Sequence, residues 1–268
     1  MTPFDYDLVD PDASDMPPIA YPLAQWHNGK PTLKALKNIA YTGGLFLPSK
    51  FLFDGLTLPG WSPVELTFGN GKTEAGLATA EAMVAAIRTR FRWTVRRNGI
   101  TVHYPRAAYL PDVGMRGNLQ VLCAVQGCAD PIALTFTGKG SQFFETLLKD
   151  FAGKVVTLAN RNAPKGKFLP RYAFWMSLKA GGPQKAKDGE TAIITPPTLA
   201  LPDEIALAYL QGRYVGKENL LTFQDWYREA EAWATAWDKP GAADTADAPA
   251  GPDDGNDGNP NDGEELPF

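Results

Sequence analysis

Glycine at 26 positions and proline at 23 punctuate this chain of 268 residues. At that density long helices are interrupted and short strands joined by turns are favoured, so an all-helical bundle is not expected. With 44% hydrophobic residues the chain can nevertheless bury a core of domain size. The strongest local signal is Asn98-Gly99, flanked by Arg90–Arg97 (Arg-Phe-Arg-Trp-Thr-Val-Arg-Arg) and Ile100–Tyr104 (Ile-Thr-Val-His-Tyr). Asn-Gly between two strand-like runs is the signature of a two-residue hairpin.

Further strands are expected at 64–68, 119–125, 132–137, 155–159, 172–179 and 191–195. Apolar residues at helical spacing predict a helix capped by Ser141 with Phe144, Leu147, Leu148 and Phe151 on one face, ending before Gly153. A second helix is expected from a Thr222 cap, with Phe223, Trp226, Ala230, Trp233 and Trp237 packing onto the body and Lys239-Pro240-Gly241 as its stop. A third is read from Glu74 through Leu77, Ala80, Val84 and Ile87. Two strands, a short helix and further strands in that order fit a β-rich α+β protein of the OB-fold type, a five-stranded Greek-key barrel. Extra strands and C-terminal helices would elaborate it.

The formal charge is −4, which taken whole argues against a nucleic-acid partner. Its distribution reverses the argument. Residues 1–15 hold five Asp and no base, and residues 238–268 hold nine acids against Lys239 alone. Residues 16–202 carry 22 Lys and Arg against 10 Asp and Glu, a net of +12. The expected organisation is an acidic arm over 1–20, one basic domain over 21–237, and an acidic tail over 238–268. Between 238 and 265 the tail has no Val, Ile, Leu, Met, Phe, Tyr or Trp, and such a segment cannot offset its ordering entropy by burial. It then ends on Leu266-Pro267-Phe268, a greasy tip on an acidic tether.

Catalytic signatures are lacking. Gly71-Lys72-Thr73 imitates a phosphate-binding loop, but Leu66 stands where its first Gly belongs. Cys123 and Cys128, with only His27 and His103 in the chain, offer neither a disulfide framework nor a zinc site. No cofactor and no enzyme activity are expected. The acidic N-terminus and the lack of a long apolar run point to a cytoplasmic protein without a membrane partner.

Binding residues are better represented. Strand alternation puts Arg90, Arg92, Thr94 and Arg96 on one hairpin face and Phe91, Trp93, Val95 and Arg97 on the other, with Tyr104 across from them. A second group, Arg161, Lys165, Lys167 and Arg171, leads into Phe168, Tyr172 and Trp175, and Lys139 precedes the first helix. Cations beside aromatics suit a groove that neutralises phosphates and stacks bases. Tyr172 and Trp175 are expected on opposite faces of a strand, so at most one of them should be exposed.

The end of the chain, Asp262-Gly263-Glu264-Glu265-Leu266-Pro267-Phe268 after a Gly, Pro, Asp and Asn linker, resembles the acidic tip of bacterial and phage single-stranded-DNA-binding proteins. It has Leu where that family usually has Ile, and Glu where Asp is usual. The stretch from Leu134 to Phe151 is loosely similar to phage versions. The resemblance implies sequence-independent single-stranded DNA binding in replication, recombination or repair, in the host cytoplasm if phage-encoded. It also implies that Glu264, Glu265, Leu266, Pro267 and Phe268 dock to partner proteins. The alternative is a duplex-DNA-binding replication or recombination accessory with the same tail.

Overall fold

The computed structural model of the chain describes residues 21–29, 43–53, 56–68, 72–97, 100–110, 113–161, 163–185 and 193–238. The expected arm over 1–20, the Asn98-Gly99 turn and the tail from residue 239, including Glu264, Glu265, Leu266, Pro267 and Phe268, lie outside the described residues.

The protein is a mixed α+β fold dominated by a ten-stranded sheet. In chain order its strands are β1 (Leu23–Asn28), β2 (Gly43–Pro48), β3 (Ser62–Thr67), β4 (Thr73–Thr79), β5 (Glu81–Arg97), β6 (Ile100–Pro105), β7 (Arg116–Val125), β8 (Ile132–Thr137) and β9 (Met176–Ala180). A two-stranded ribbon of β10 (Gln184–Lys185) and β11 (Ile193–Ile194) follows, and β12 (Pro197–Leu199) completes the main sheet. The spatial order is β12-β9-β5-β7-β8-β1-β2-β4-β3, with β6 also on β5. β1 runs parallel to β8, while the other described pairings are antiparallel. Ala80 alone separates β4 from β5, so one nearly continuous stretch pairs first with β2 and β3 and then with β7, β9 and β6.

Both faces of the centre are covered. On one face Val84, Ala86, Val121, Cys123, Leu134 and Phe136 form the main core. It is closed by α1 (Gly138–Phe151), a π-helical turn (Ala152–Val156) and α2 (Thr157–Asn160), which follow without a break. Phe144, Leu148, Phe151 and Val155 are that helix's buried row, and Phe144 stacks on Phe136 at 3.9 Å. Gly117 in β7 is needed for the approach, because a Cβ there would sit 2.6 Å from Ser141 Oγ and 3.1 Å from the Phe91 ring.

The opposite face is covered by α4 (Lys217–Glu229), α5 (Glu231–Thr235) and a 3-10 turn (Ala236–Asp238), after the shorter α3 (Leu207–Arg213). A bulge at Ile87, where the β5–β7 register shifts between Ala86 and Arg88, sets what that face presents. Ala85 and Ile87 meet Phe223 and Trp175 in one cluster, and the cations at 88, 90 and 92 follow on the same side.

Several expectations need correction. The stretch 74–87 forms β4 and β5 rather than a helix. Its apolar residues serve both sheet faces, and a strand buried on both sides reads as an apolar run that helical spacing also fits. Residues 155–159 are helical because Val155 extends the buried row of α1, while Gly153 faces solvent and ends nothing. Ser141 is not a cap: the helix begins at Gly138, and the Ser141 hydroxyl donates to the Gly138 carbonyl at 2.7 Å. Thr222 lies inside α4, which starts after Gly216 at φ 88°. Beside β8 on the side away from β7 lies β1, from the N-terminal side of the chain. The hairpin stands, with Arg97 opposite Ile100. So does the packing of the tryptophan-bearing segment, with Phe223, Trp233 and Trp237 buried.

Trp233→Ala removes the ring that packs on Leu122 and Ala133 and uncovers Arg90. We expect urea unfolding to report a loss of about 3–5 kcal/mol. Phe168→Ala, at an exposed ring, should stay within about 0.5 kcal/mol of the parent.

Candidate nucleic-acid interface

The cationic row expected on the hairpin is not an open strip. Arg90 and Arg92 are each only 7% exposed. The Arg90 guanidinium lies 4.3 Å from the Trp233 ring centre and 4.1 Å from that of Trp237, and Arg92 lies 4.0 Å from Trp237. Arg90 Nε donates to Gln120 Oε1 at 2.8 Å. Earlier in the chain, in α4, Tyr227 receives Arg88 at 3.8 Å from its ring centre, and Arg88 also pairs with Glu231. The planar guanidinium, weakly hydrated and able to stack, is the cation that tolerates such burial. These arginines fasten the C-terminal helices to the sheet.

The second expected cluster divides in two. Tyr172 and Trp175 are both buried, because residues 171–173 form a 3-10 turn and not a strand, so the expected alternation does not apply. Both join the cluster under α4, where Trp175 meets Phe223 edge-on at 5.6 Å. Arg171 is half-buried, with Nε 3.4 Å from the Ala86 carbonyl, and burial holds its pKa below the ordinary value despite nearby Cys123 and Tyr227. Arg161, Lys165, Lys167 and Phe168 are exposed, with Phe168 at 75%.

Asn160 is why those four stand together. Its side chain donates to the Leu169 carbonyl at 2.9 Å and accepts from the Leu169 amide at 2.7 Å. The chain between is thereby closed into a short loop at the end of α2. A turn from Pro164 to Lys167, with Gly166 at φ +77°, points the loop's tip outward. The result is a loop on a fixed base that exposes one aromatic ring and three cations.

At the other end of the long helix lies an aromatic patch. Phe91 and Trp93 of β5 meet edge-on at 4.8 Å, and Tyr109 lies 4.5 Å from Trp93. Tyr104 stands directly opposite Trp93 in the β5–β6 register and so shares its face. Trp93 Nε1 donates to the Arg106 carbonyl at 3.1 Å, and the Arg106 guanidinium sits 4.9 Å from the Phe91 ring centre. Tyr109 is 51% exposed, Trp93 and Tyr104 are half-buried, and Lys139 is exposed in the first turn of α1. Arg96 is exposed too, but on the face of Arg90 and Arg92. Sequence reading missed Arg106 and Tyr109, whose signal is the basic-aromatic run Arg106-Ala-Ala-Tyr109 just after β6.

Arg106 also pairs with Glu145 of α1, and Lys149 reaches the same carboxylate at 3.1 Å. Burial alone would raise the Glu145 pKa, but these two cations outweigh it and hold it below the usual value. Other chemistry is sparse. Cys123 is buried, which pushes its thiol far up, and the Cys128 thiol donates to the Asp130 carbonyl at 3.2 Å. Among the described residues no group of three or more His, Cys, Asp or Glu could hold a metal ion. No helix among them is long and apolar enough to cross a membrane. Comparison with known protein families, curated proteins and solved structures finds no match.

Because the folded-state pKa of Glu145 is lowered, its pairing stabilises the protein above the unfolded value and fades as pH falls through the folded one. Thermal melts should therefore show Glu145→Gln below the parent at pH 7, the gap closing as pH drops below about 4.

Proposed function

We propose that the protein binds single-stranded nucleic acid without sequence preference, through phosphate neutralisation and stacking on exposed rings. The observation that supports this most is the loop closed by Asn160, in which Phe168 stands exposed and Arg161, Lys165 and Lys167 are exposed as well. A large apolar ring is not left in water there by lack of a core, since the neighbouring Tyr172 and Trp175 are buried. Base stacking on such a ring is worth about 1–3 kcal/mol per base and tolerates any sequence. The Trp93, Tyr104 and Tyr109 patch beside Arg106 repeats the same chemistry, and Lys139 is exposed in the first turn of α1.

An OB-type barrel at the centre of the sheet belongs to this proposal. It is supported by the strand order β5-β7-β8-β1-β2-β4, with β4 running into β5 through Ala80, and by α1 following β8. In this reading β1 and β2, from the N-terminal side, take the places of the two strands that follow the helix in the usual order. The acidic tip Glu264-Glu265-Leu266-Pro267-Phe268 would recruit replication, recombination or repair proteins, as its resemblance implies.

Quenching of the seven tryptophans by poly-dT and by a duplex of equal length, each at several salt concentrations, tests the reading. The expected result is tighter binding to poly-dT, unchanged or tightened by removal of residues 239–268. Lys165→Ala/Lys167→Ala should flatten the dependence of log Kobs on log salt by about 1.4, at about 0.7 per lost phosphate contact. Preference for the duplex favours the duplex-binding alternative, and absence of binding to either overturns the proposal.

A further inference from the structure

The loop and the aromatic patch sit at opposite ends of one continuous helical run, residues 138–160. At about 1.5 Å per residue that run is about 34 Å long. Its inner row is sealed into the core by Phe144, Leu148, Phe151 and Val155. Its outer row passes through Lys139, Gln142, Thr146, Lys149, Gly153, Lys154 and Thr157 to Arg161, all of them exposed. Over residues 138–168 there are six Lys or Arg and two acids, Glu145 and Asp150. Glu145 is already engaged by Arg106, and Lys149, which reaches it too, keeps 73% of its side chain exposed, so Asp150 is left as the acid exposed on the helix.

We propose that a single strand lies along the exposed side of α1 and α2, its phosphates on Lys139, Lys149 and Lys154, with bases stacked at one end on the Trp93–Tyr109 patch and at the other on Phe168. This presupposes the binding activity proposed above and adds its path and length. At the stacked rise of about 3.4 Å per nucleotide the helix spans about ten nucleotides, fewer if the strand is stretched, within the range of about 4–16 seen for one binding unit. The strand would thus run over the face of the molecule that α1 covers, away from the side where Arg88, Arg90 and Arg92 are stacked on α4 and the segment after it.

The test compares the full-length protein with Lys139→Ala/Lys149→Ala/Lys154→Ala and with a charge-matched control, Lys50→Ala/Lys217→Ala/Arg228→Ala. The control residues are also exposed but lie off α1 and α2. Thymidine oligonucleotides of 5, 10 and 20 nucleotides are titrated across salt concentrations, with circular dichroism verifying the fold of each variant. For the helix variant we expect the salt slope on the longer oligonucleotides to fall by about 2, at about 0.7 for each of three contacts, with little change in the control. Parent affinity should rise from 5 to 10 nucleotides and flatten thereafter once corrected for the number of overlapping sites. An unchanged slope in the helix variant, or an equal loss in the control, overturns the path while leaving single-strand binding intact. A parent protein that binds none of the three oligonucleotides overturns the binding activity itself.

Discussion

The interleaving of Arg88, Arg90 and Arg92 with Tyr227, Trp233 and Trp237 is the contact on which the arrangement of the molecule turns. It joins the middle of the longest strand to the last helices, 143 positions apart in the chain for Arg88 and Glu231. Burying guanidinium groups is costly unless their hydrogen bonds and charge are met; here Gln120 and the Trp233 carbonyl accept from Arg90, Glu231 pairs with Arg88, and the indole faces cover Arg90 and Arg92. Desolvated cation–π contacts are worth about 2 kcal/mol each, so a small set of them is large against the marginal stability of a domain. The bulge at Ile87 is what lets an apolar cluster and this cationic row share one face of β5.

That contact also sorts the positive charge. The cations stacked against the C-terminal segment are all arginine, whereas those exposed along α1 and its loop are lysine except for Arg161. The division follows from chemistry: a planar, delocalised ion stacks and tolerates desolvation, while a compact, strongly hydrated ammonium stays in water as a mobile point charge. The net of +12 over residues 16–202 is therefore not one binding surface. Part of it is structural adhesive, and another part is exposed on the other side of the sheet, along a helix bounded at both ends by aromatic rings.

Much of this was legible in the sequence as pieces, and less as relations between pieces. Asn98-Gly99 marked the hairpin, and the spacing of Phe223, Ala230, Trp233 and Trp237 marked a face that packs inward. Alternation separated Arg90 and Arg92 from Phe91 and Trp93 correctly. It cannot say which face another element covers, and the tryptophan segment that covers the arginines lies more than a hundred residues away. Residues 74–87 misled because apolar residues on both faces of β4 and β5 blur their alternation, and residues 155–159 because three neighbouring β-branched residues spoke for a strand while Val155 continued a helical row. β1 and β2 went unread: every residue of β2, Gly43–Pro48, is buried, so it has no polar face to mark a period. The loop's prominence depends on the Asn160 clamp, which no composition rule flags.

Photo-crosslinking of a thymidine oligonucleotide to the full-length protein, with the attachment sites mapped by mass spectrometry, addresses the central claim most directly. The account predicts crosslinks at Phe168 and at Trp93 or Tyr109, with Trp233 and Trp237 untouched because they are occupied by Arg90 and Arg92. Crosslinks concentrated on Trp233 and Trp237, with Phe168 and Tyr109 bare, would show that the strand displaces the C-terminal segment and binds the arginine face instead, and would contradict it.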